Sequence, residues 1–145
     1  MKITIKRLAE NAPLPTKGSS QAAGFDLRAN LDGNSVIIDP HKTIKIGTGV
    51  AMAIPAGHMG LIFARSGLAT KEGLRPSNCV GLVDSDYRGE IIVALHNDTS
   101  ESKMVSHGDR IAQLVILPYP EVEFEEGVLD ETERGEGGFG STGRN

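Results

Sequence analysis

The chain has 145 residues, with 15 Lys and Arg against 19 Asp and Glu, a formal net charge of −4, and a single cysteine. That length suits one domain with a real core, and the acidic balance argues against a general nucleic-acid binder, which would carry a basic face. Cys79 has no partner for an internal disulfide, which points to a reducing compartment.

The start, Met1 to Arg7, lacks the long apolar region of a signal peptide. No apolar run approaches the about 20 residues that span a bilayer. The expectation is a soluble, cytoplasmic protein that engages neither membrane nor nucleic acid. Its 18 glycines and 7 prolines, set between short β-branched runs, point to an all-β domain.

Residues Lys2 to Leu8 alternate Ile3 and Ile5 with polar neighbours, as a half-buried strand does. Pro13 and Pro15 break it. Small residues Ala22, Ala23 and Gly24 then lead into Phe25 and Leu27, with Asp26 on the opposite face. Alone, Asp26 reads as a turn or edge carboxylate. Short strands follow at Ser35–Ile38, Thr43–Ile46, Val50–Ile54 and Met59–Ala64, a spacing that suits a sandwich or barrel. The segment Arg65-Ser66-Gly67-Leu68-Ala69 ends the last of these. Leu68 to Glu72 is expected to form the only helix, with Ser66 at or near its N-cap. A helix start beside an Arg is an anion site; a capping Ser beside a surface Arg is the plainer alternative.

The stretch from Gly81 to Ile92 reads as a strand, a tight acidic turn and a second strand, so a hairpin is expected. Asp84 falls where the first strand ends, a place where a scaffold can hold a carboxylate towards a pocket. A solvated hairpin tip explains the same residues. Further on, Gln113 interrupts the apolar run Ile111 to Leu117. A buried amide needs its hydrogen bonds met, so it is either structurally satisfied or lines a pocket. The four histidines show no ligand spacing, which makes a zinc site unexpected.

The division expected is a core over 1–120 and an arm over 121–145. The arm is acidic and then glycine-rich, and is expected to be flexible. Gly135, Gly137 and Gly140 formally match a dinucleotide fingerprint, but the chain ends too soon for the helix that motif requires, and no Lys completes a Walker loop. What remains is free backbone N–H, Arg134, Phe139, Ser141 and Thr142: an arm able to wrap phosphates and stack on a base, or simply a tail.

Five segments therefore stand in order: Ala23 to Leu27, Arg65 to Ala69, Gly81 to Glu90, Gly108 to Gln113, and Arg134 to Gly143. Together they resemble the five motifs of the trimeric dUTPases, the deoxyuridine triphosphate nucleotidohydrolases, over nearly the whole chain and without departure at a chemical position. The resemblance implies a jelly-roll-like β fold with one short helix, a homotrimer, and active sites shared between subunits. It implies Mg²⁺-dependent attack of water on the α-phosphorus of dUTP, giving dUMP and pyrophosphate, which keeps uracil out of DNA. Asp84 would be the general base, and Asp26 would touch a phosphate-held Mg²⁺ through water. Arg65, Ser66, Gly67 and Gln113 would hold the α- and β-phosphates. Arg134, Gly140, Ser141 and Thr142 would hold the γ-phosphate, and Phe139 would cover the uracil. Backbone at Gly81 and Val83, with the Asn78 amide, would read uracil, and Tyr87 would pack under the deoxyribose.

The related dCTP deaminases carry a catalytic Glu on the strand after the turn. Here that position is Ala94. A nucleotide-responsive binding module is a rival of another class, disfavoured by the intact Asp84. A hydrolase using Asp84 with Asp86 would leave the tail unexplained.

Overall fold

The computed structural model describes residues 1–138. Among them are twelve strands and one helix: β1 (Thr4–Arg7), β2 (Thr16–Lys17), β3 (Phe25–Arg28), β4 (Ser35–Ile38), β5 (Thr43–Gly47), β6 (Val50–Ala53), β7 (His58–Phe63), α1 (Ser66–Glu72), β8 (Leu74–Pro76), β9 (Val80–Val83), β10 (Ile92–Asn97), β11 (Lys103–Ser106) and β12 (Arg110–Pro118). The largest sheet has five strands in the order β2-β3-β12-β7-β9, and a second has the order β5-β10-β8. Two antiparallel pairs, β1-β6 and β4-β11, complete a jelly-roll-like all-β fold. No helix among the described residues is long and apolar enough to cross a membrane.

Side-chain alternation builds the core. Val93 and Leu95 of β10 face Leu27, Ile46, Ile62, Val83 and Leu114 in one cluster of buried residues. Burying each such side chain contributes about 1.5–3 kcal/mol. Asn97 continues the inward face of β10 and is fully buried. Its amide donates to the Ile38 and Glu101 carbonyls at 2.9 and 2.7 Å, and its oxygen accepts from Thr99 N–H and Oγ1. Every hydrogen-bonding capacity is met, so the polar group costs little where it sits.

The helix begins earlier than expected, at Ser66, and the N-cap position falls to Arg65, which is extended (φ −83°, ψ 129°) and makes no side-chain cap. Gly73 ends the helix in the left-handed conformation, φ 66°. Strand β8 was not evident from the sequence, being three residues that include a proline.

One expectation is corrected outright. The strands on either side of Asp84 do not form a hairpin. β9 pairs with β7, whereas β10 pairs with β5 and β8. The turn from Asp84 to Ile91 is an arch from one sheet to the other. Val83 and Ile91 are both buried and lie in the one core cluster, so the arch carries the chain across the layer between the sheets. Alternation identifies strands but says nothing of which neighbour each will find.

Candidate active site

The residues singled out in the sequence before the arm gather in two separate clefts. The first, about 390 Å³, is lined by Gly24 and Asp26 of the β3 region, Arg65, Ser66 and Gly67 at the start of α1, and Arg110 and Gln113 of β12. Gln113 stands directly opposite Asp26 in the ladder, which puts both on one face of the sheet. Its amide nitrogen donates to the Ala64 carbonyl at 2.8 Å. A Cβ at Gly24 would stand 3.2 Å from the Gln113 amide oxygen, so a small residue keeps this wall open. Gln113 is thus both satisfied structurally and part of the lining.

Asp26 is the electrostatic centre of this cleft. Its carboxylate accepts from Arg65 Nε at 2.8 Å and from an Arg110 terminal nitrogen at 3.3 Å, with the Asp26 side chain only 13% exposed. Two guanidiniums against one carboxylate leave a positive surplus. Arg65 has five N–H donors, and only Nε and one terminal nitrogen are engaged, the latter on the Arg110 carbonyl. Donors remain for an anion.

Arg110 was missed in the sequence, and the fold explains why. It lies three residues before Gln113, so an unbroken strand would send it to the opposite face. The β3–β12 ladder is irregular between Arg110 and Ala112, and Arg110 comes opposite Arg28. Ile111 is the extra residue of a bulge, which re-aims Arg110 onto the Asp26 face. The bulge leaves Ile111 and Ala112, adjacent in sequence, both buried, which an unbroken alternating strand would not do.

The second cleft, about 210 Å³, is lined by Asn78, Gly81, Val83, Asp84, Tyr87, Glu90 and the flanking apolar residues Ile62, Leu82, Ile91 and Ile92. Asn78 is presented by the β8–β9 turn, where Cys79 takes φ 63°. Arg75, at the other end of that turn, grips Asp98 with Nε at 2.7 Å and a terminal nitrogen at 2.9 Å. Those hydrogen bonds hold the Asp98 carboxyl below the usual carboxylate range. Among the described residues strand β9 pairs only with β7, so its outer edge has unpaired backbone donors and acceptors beside this cleft. Asp84 is exposed, and among the described residues no group hydrogen-bonds or ion-pairs with its carboxylate. Tyr87 N–H donates to the Asp84 carbonyl at 3.2 Å, which closes the turn.

The two clefts share no lining residue. Arg134 lies in neither; it is exposed on the arm, with Nε on the Gly137 carbonyl at 2.8 Å. The expectations for Phe139, Gly140, Ser141 and Thr142 lie outside the described residues. A larger groove of about 480 Å³ is lined by Ile3, Ile5, Phe25, Met52 and other apolar side chains and offers no chemistry. Among the described residues no cluster of three His, Cys, Asp or Glu is placed to hold a metal. One carboxylate, Asp26, faces a cationic cleft. That donor set suits Mg²⁺, which takes one or two carboxylates and fills its other positions with substrate phosphates and water.

The dUTPase family model matches residues 10–143. Among similar proteins, the deoxyuridine 5'-triphosphate nucleotidohydrolase of Desulfitobacterium hafniense is 51% identical over 145 residues, covering 99% of this chain and 95% of the relative. That of a Wolbachia pipientis strain is 46% identical over 149 residues, covering 99% and 97%. The dUTPase of Staphylococcus bacteriophage 80alpha, solved with dUPNHPP, superposes with a TM-score of 0.84 at 30% identity, covering 98% of each chain. The dUTPase of phage phi11 of S. aureus, described with a structural Mg(II) ion, gives 0.78 at 26% identity, covering 92% and 99%.

Proposed function

This chain belongs to the dUTPase family and is a dUTP diphosphatase, and from that premise we propose that water attacks the α-phosphorus of dUTP with Asp84 as general base. The single observation that carries this reading is the division of the site residues between two clefts with no lining residue in common. One is polar and cationic, fit for phosphates. The other has a free carboxylate, an exposed strand edge and an aromatic ring, fit for a nucleoside and an attacking water. The two become one site when the Asp84 turn of one copy stands against the Arg65 and Arg110 cleft of another, in a homotrimer. Leu82 is 61% exposed and Ile92 48% exposed beside that turn, an apolar rim that a second copy would cover.

In the joined site Arg65, Ser66, Gly67, Gln113 and Arg110 bind the α- and β-phosphates. The arm brings Arg134, Ser141 and Thr142 to the γ-phosphate, and Phe139 covers the base. Asp26 keeps both guanidiniums aimed into the cleft and is the carboxylate that would help to hold Mg²⁺ there. That ion, when bound, neutralises charge building on the phosphate oxygens. The Asp84 carboxylate takes a proton from the attacking water. A carboxylate is a weak base at neutral pH, so orientation of that water supplies much of the effect. The outer edge of β9 at Gly81 and Val83, with Asn78, reads the donor and acceptor order of uracil. The Tyr87 ring leaves no room for a 2′-hydroxyl.

The deaminase alternative has no acid to use at Ala94, a half-buried alanine paired with Lys45. Pyrophosphate release measured with dUTP, dCTP, dTTP and UTP in the presence of Mg²⁺ tests the reading. Strong preference for dUTP is the expected result; comparable turnover of dCTP with ammonia released would overturn it. Light scattering is expected to give the mass of three chains, and a fully active monomer would contradict the shared site.

A further inference from the structure

Glu90 was not among the residues singled out in the sequence, yet it is the fixed point from which the Asp84 turn hangs. Its Oε1 accepts the Gly49 backbone N–H at 2.8 Å, across from the β5–β6 connection. Gly47 lies against the same carboxylate: a Cβ there would collide with Glu90 Oε1 and stand 3.1 Å from Cδ. Gly49 has φ 69°, a conformation that suits glycine. Between them Thr48 is buried, and both its N–H and its hydroxyl donate to the Ile91 carbonyl, at 3.1 and 2.7 Å. Ile91 N–H in turn donates to the Val50 carbonyl at 2.9 Å. The segment Gly47-Thr48-Gly49 is thus a cradle shaped to take the Glu90 carboxylate and the Ile91 peptide together.

What the cradle holds on its other side is Tyr87. The Tyr87 hydroxyl donates to the Glu90 carbonyl at 2.9 Å. The ring lies across Gly89, where a Cβ would overlap the phenol oxygen and stand 2.6 Å from Cζ. Tyr87 is itself 44% exposed, so little apolar packing fixes it. Its place is set by one hydrogen bond to Glu90 and one bare glycine. Glu90 takes its own place from two ties: the Gly49 N–H on its carboxylate and, through the Ile91 N–H of the same peptide, the Val50 carbonyl.

We propose that Glu90 is a positioning residue for sugar discrimination: its carboxylate, docked on Gly49 above Gly47, fixes the peptide that fixes the Tyr87 ring. This rests on the reading that Tyr87 walls the deoxyribose. Without the carboxylate the Glu90 peptide keeps its Ile91 N–H bond to Val50 but loses its second tie, the side-chain anchor on Gly49 that stops it from tilting. The Tyr87 edge then yields to a 2′-hydroxyl. Asp84 lies at the other end of the turn, against β9, and keeps its hydrogen bond from Tyr87 N–H.

The test compares Glu90→Ala, Glu90→Gln and Gly89→Ala with the unaltered chain, using kcat/KM for dUTP and for UTP. Glu90→Ala is expected to lower the dUTP over UTP preference about tenfold, the scale on which one misfitted group is felt in a pocket, mainly through a lower KM for UTP. Glu90→Gln retains an amide oxygen for Gly49 N–H and is expected to restore the preference. Gly89→Ala displaces the ring directly and is expected to lower it as Glu90→Ala does. Tyrosine ring NMR in a Tyr119→Phe background leaves Tyr87 as the only tyrosine. Without nucleotide, its signals are expected to move towards those of free tyrosine in Glu90→Ala and not in Glu90→Gln. An unchanged preference in Glu90→Ala, or an equal loss in Glu90→Gln, overturns the proposal. Failure of the underlying reading looks different: the ring signals respond to Glu90→Ala, yet UTP is turned over as well as dUTP before any substitution.

Discussion

Replacing Asp84 with asparagine is expected to lower dUTP turnover by roughly 10²–10⁴-fold, the usual contribution of a general base, while nucleotide binding survives. The amide matches the carboxylate in size and keeps an oxygen to orient water, but it cannot accept the proton. The residue is exposed and no group among those described bonds its carboxylate, so the substitution breaks no contact that holds the turn. Tyr87 N–H bonds to the backbone carbonyl of residue 84, not to its side chain, and stays in place. The loss should therefore appear in kcat with KM nearly unchanged, the pattern of an interaction used only in the transition state. Equilibrium binding of a non-hydrolysable dUTP analogue separates the two effects. Near-normal kcat in the Asn variant would remove Asp84 from the role of base.

What the sequence made legible follows from which signals are local. The alternation in Val93 and Leu95, the helix stop at Gly73 and the acidic turn at Asp84 depend on neighbours a few residues away, and each appears in the fold. The motif order from Ala23 to Gly143 carried the family. Information that depends on pairing was not legible. Consecutive strands such as β9 and β10 read as partners, whereas β9 pairs with β7, and β10 lies between β5 and β8. The bulge at Ile111 belongs to the ladder with β3, and it alone decides which way Arg110 faces. Glu90 is one more acid in an acidic turn until Gly47 and Gly49, more than forty positions earlier, are brought beneath it. The separation of the site into two clefts is of the same kind. The sequence singles out both Asp26 and Asp84, and only the fold shows that one chain keeps them in different places.

Truncation after Asp130 is expected to leave folding and assembly intact and to lower turnover by about 10²-fold, the cost of losing a group that completes a productive geometry. The last strand ends at Pro118, and Tyr119 N–H makes one further bond to the Gly57 carbonyl. From Glu121 to Glu136 every residue is exposed, and none belongs to the buried core. Among the described residues none from 131 onward belongs to the buried core, so the thermal midpoint should hold. Val122, Phe124, Val128 and Leu129, 66% to 102% exposed, stay in the truncated chain. The deleted part supplies Arg134 and the Gly-rich end with Phe139, Ser141 and Thr142. Around Arg134 the arm already turns, with Gly135 N–H on the Thr132 carbonyl and Gly137 N–H on that of Arg134, each at 3.0 Å. Glycine gives up the most backbone freedom on ordering, so closing this segment over substrate is favourable only where phosphate contacts and stacking on uracil offset the entropy. Phe139→Ala should weaken the closed state by about 1–3 kcal/mol, the range for one base–aromatic contact. Arg134→Ala should impair dUTP more than dUMP binding, because only the triphosphate carries the γ-phosphate it is proposed to hold. Turnover of dUTP at the full-length rate by the truncated protein would show that the arm takes no part in the reaction.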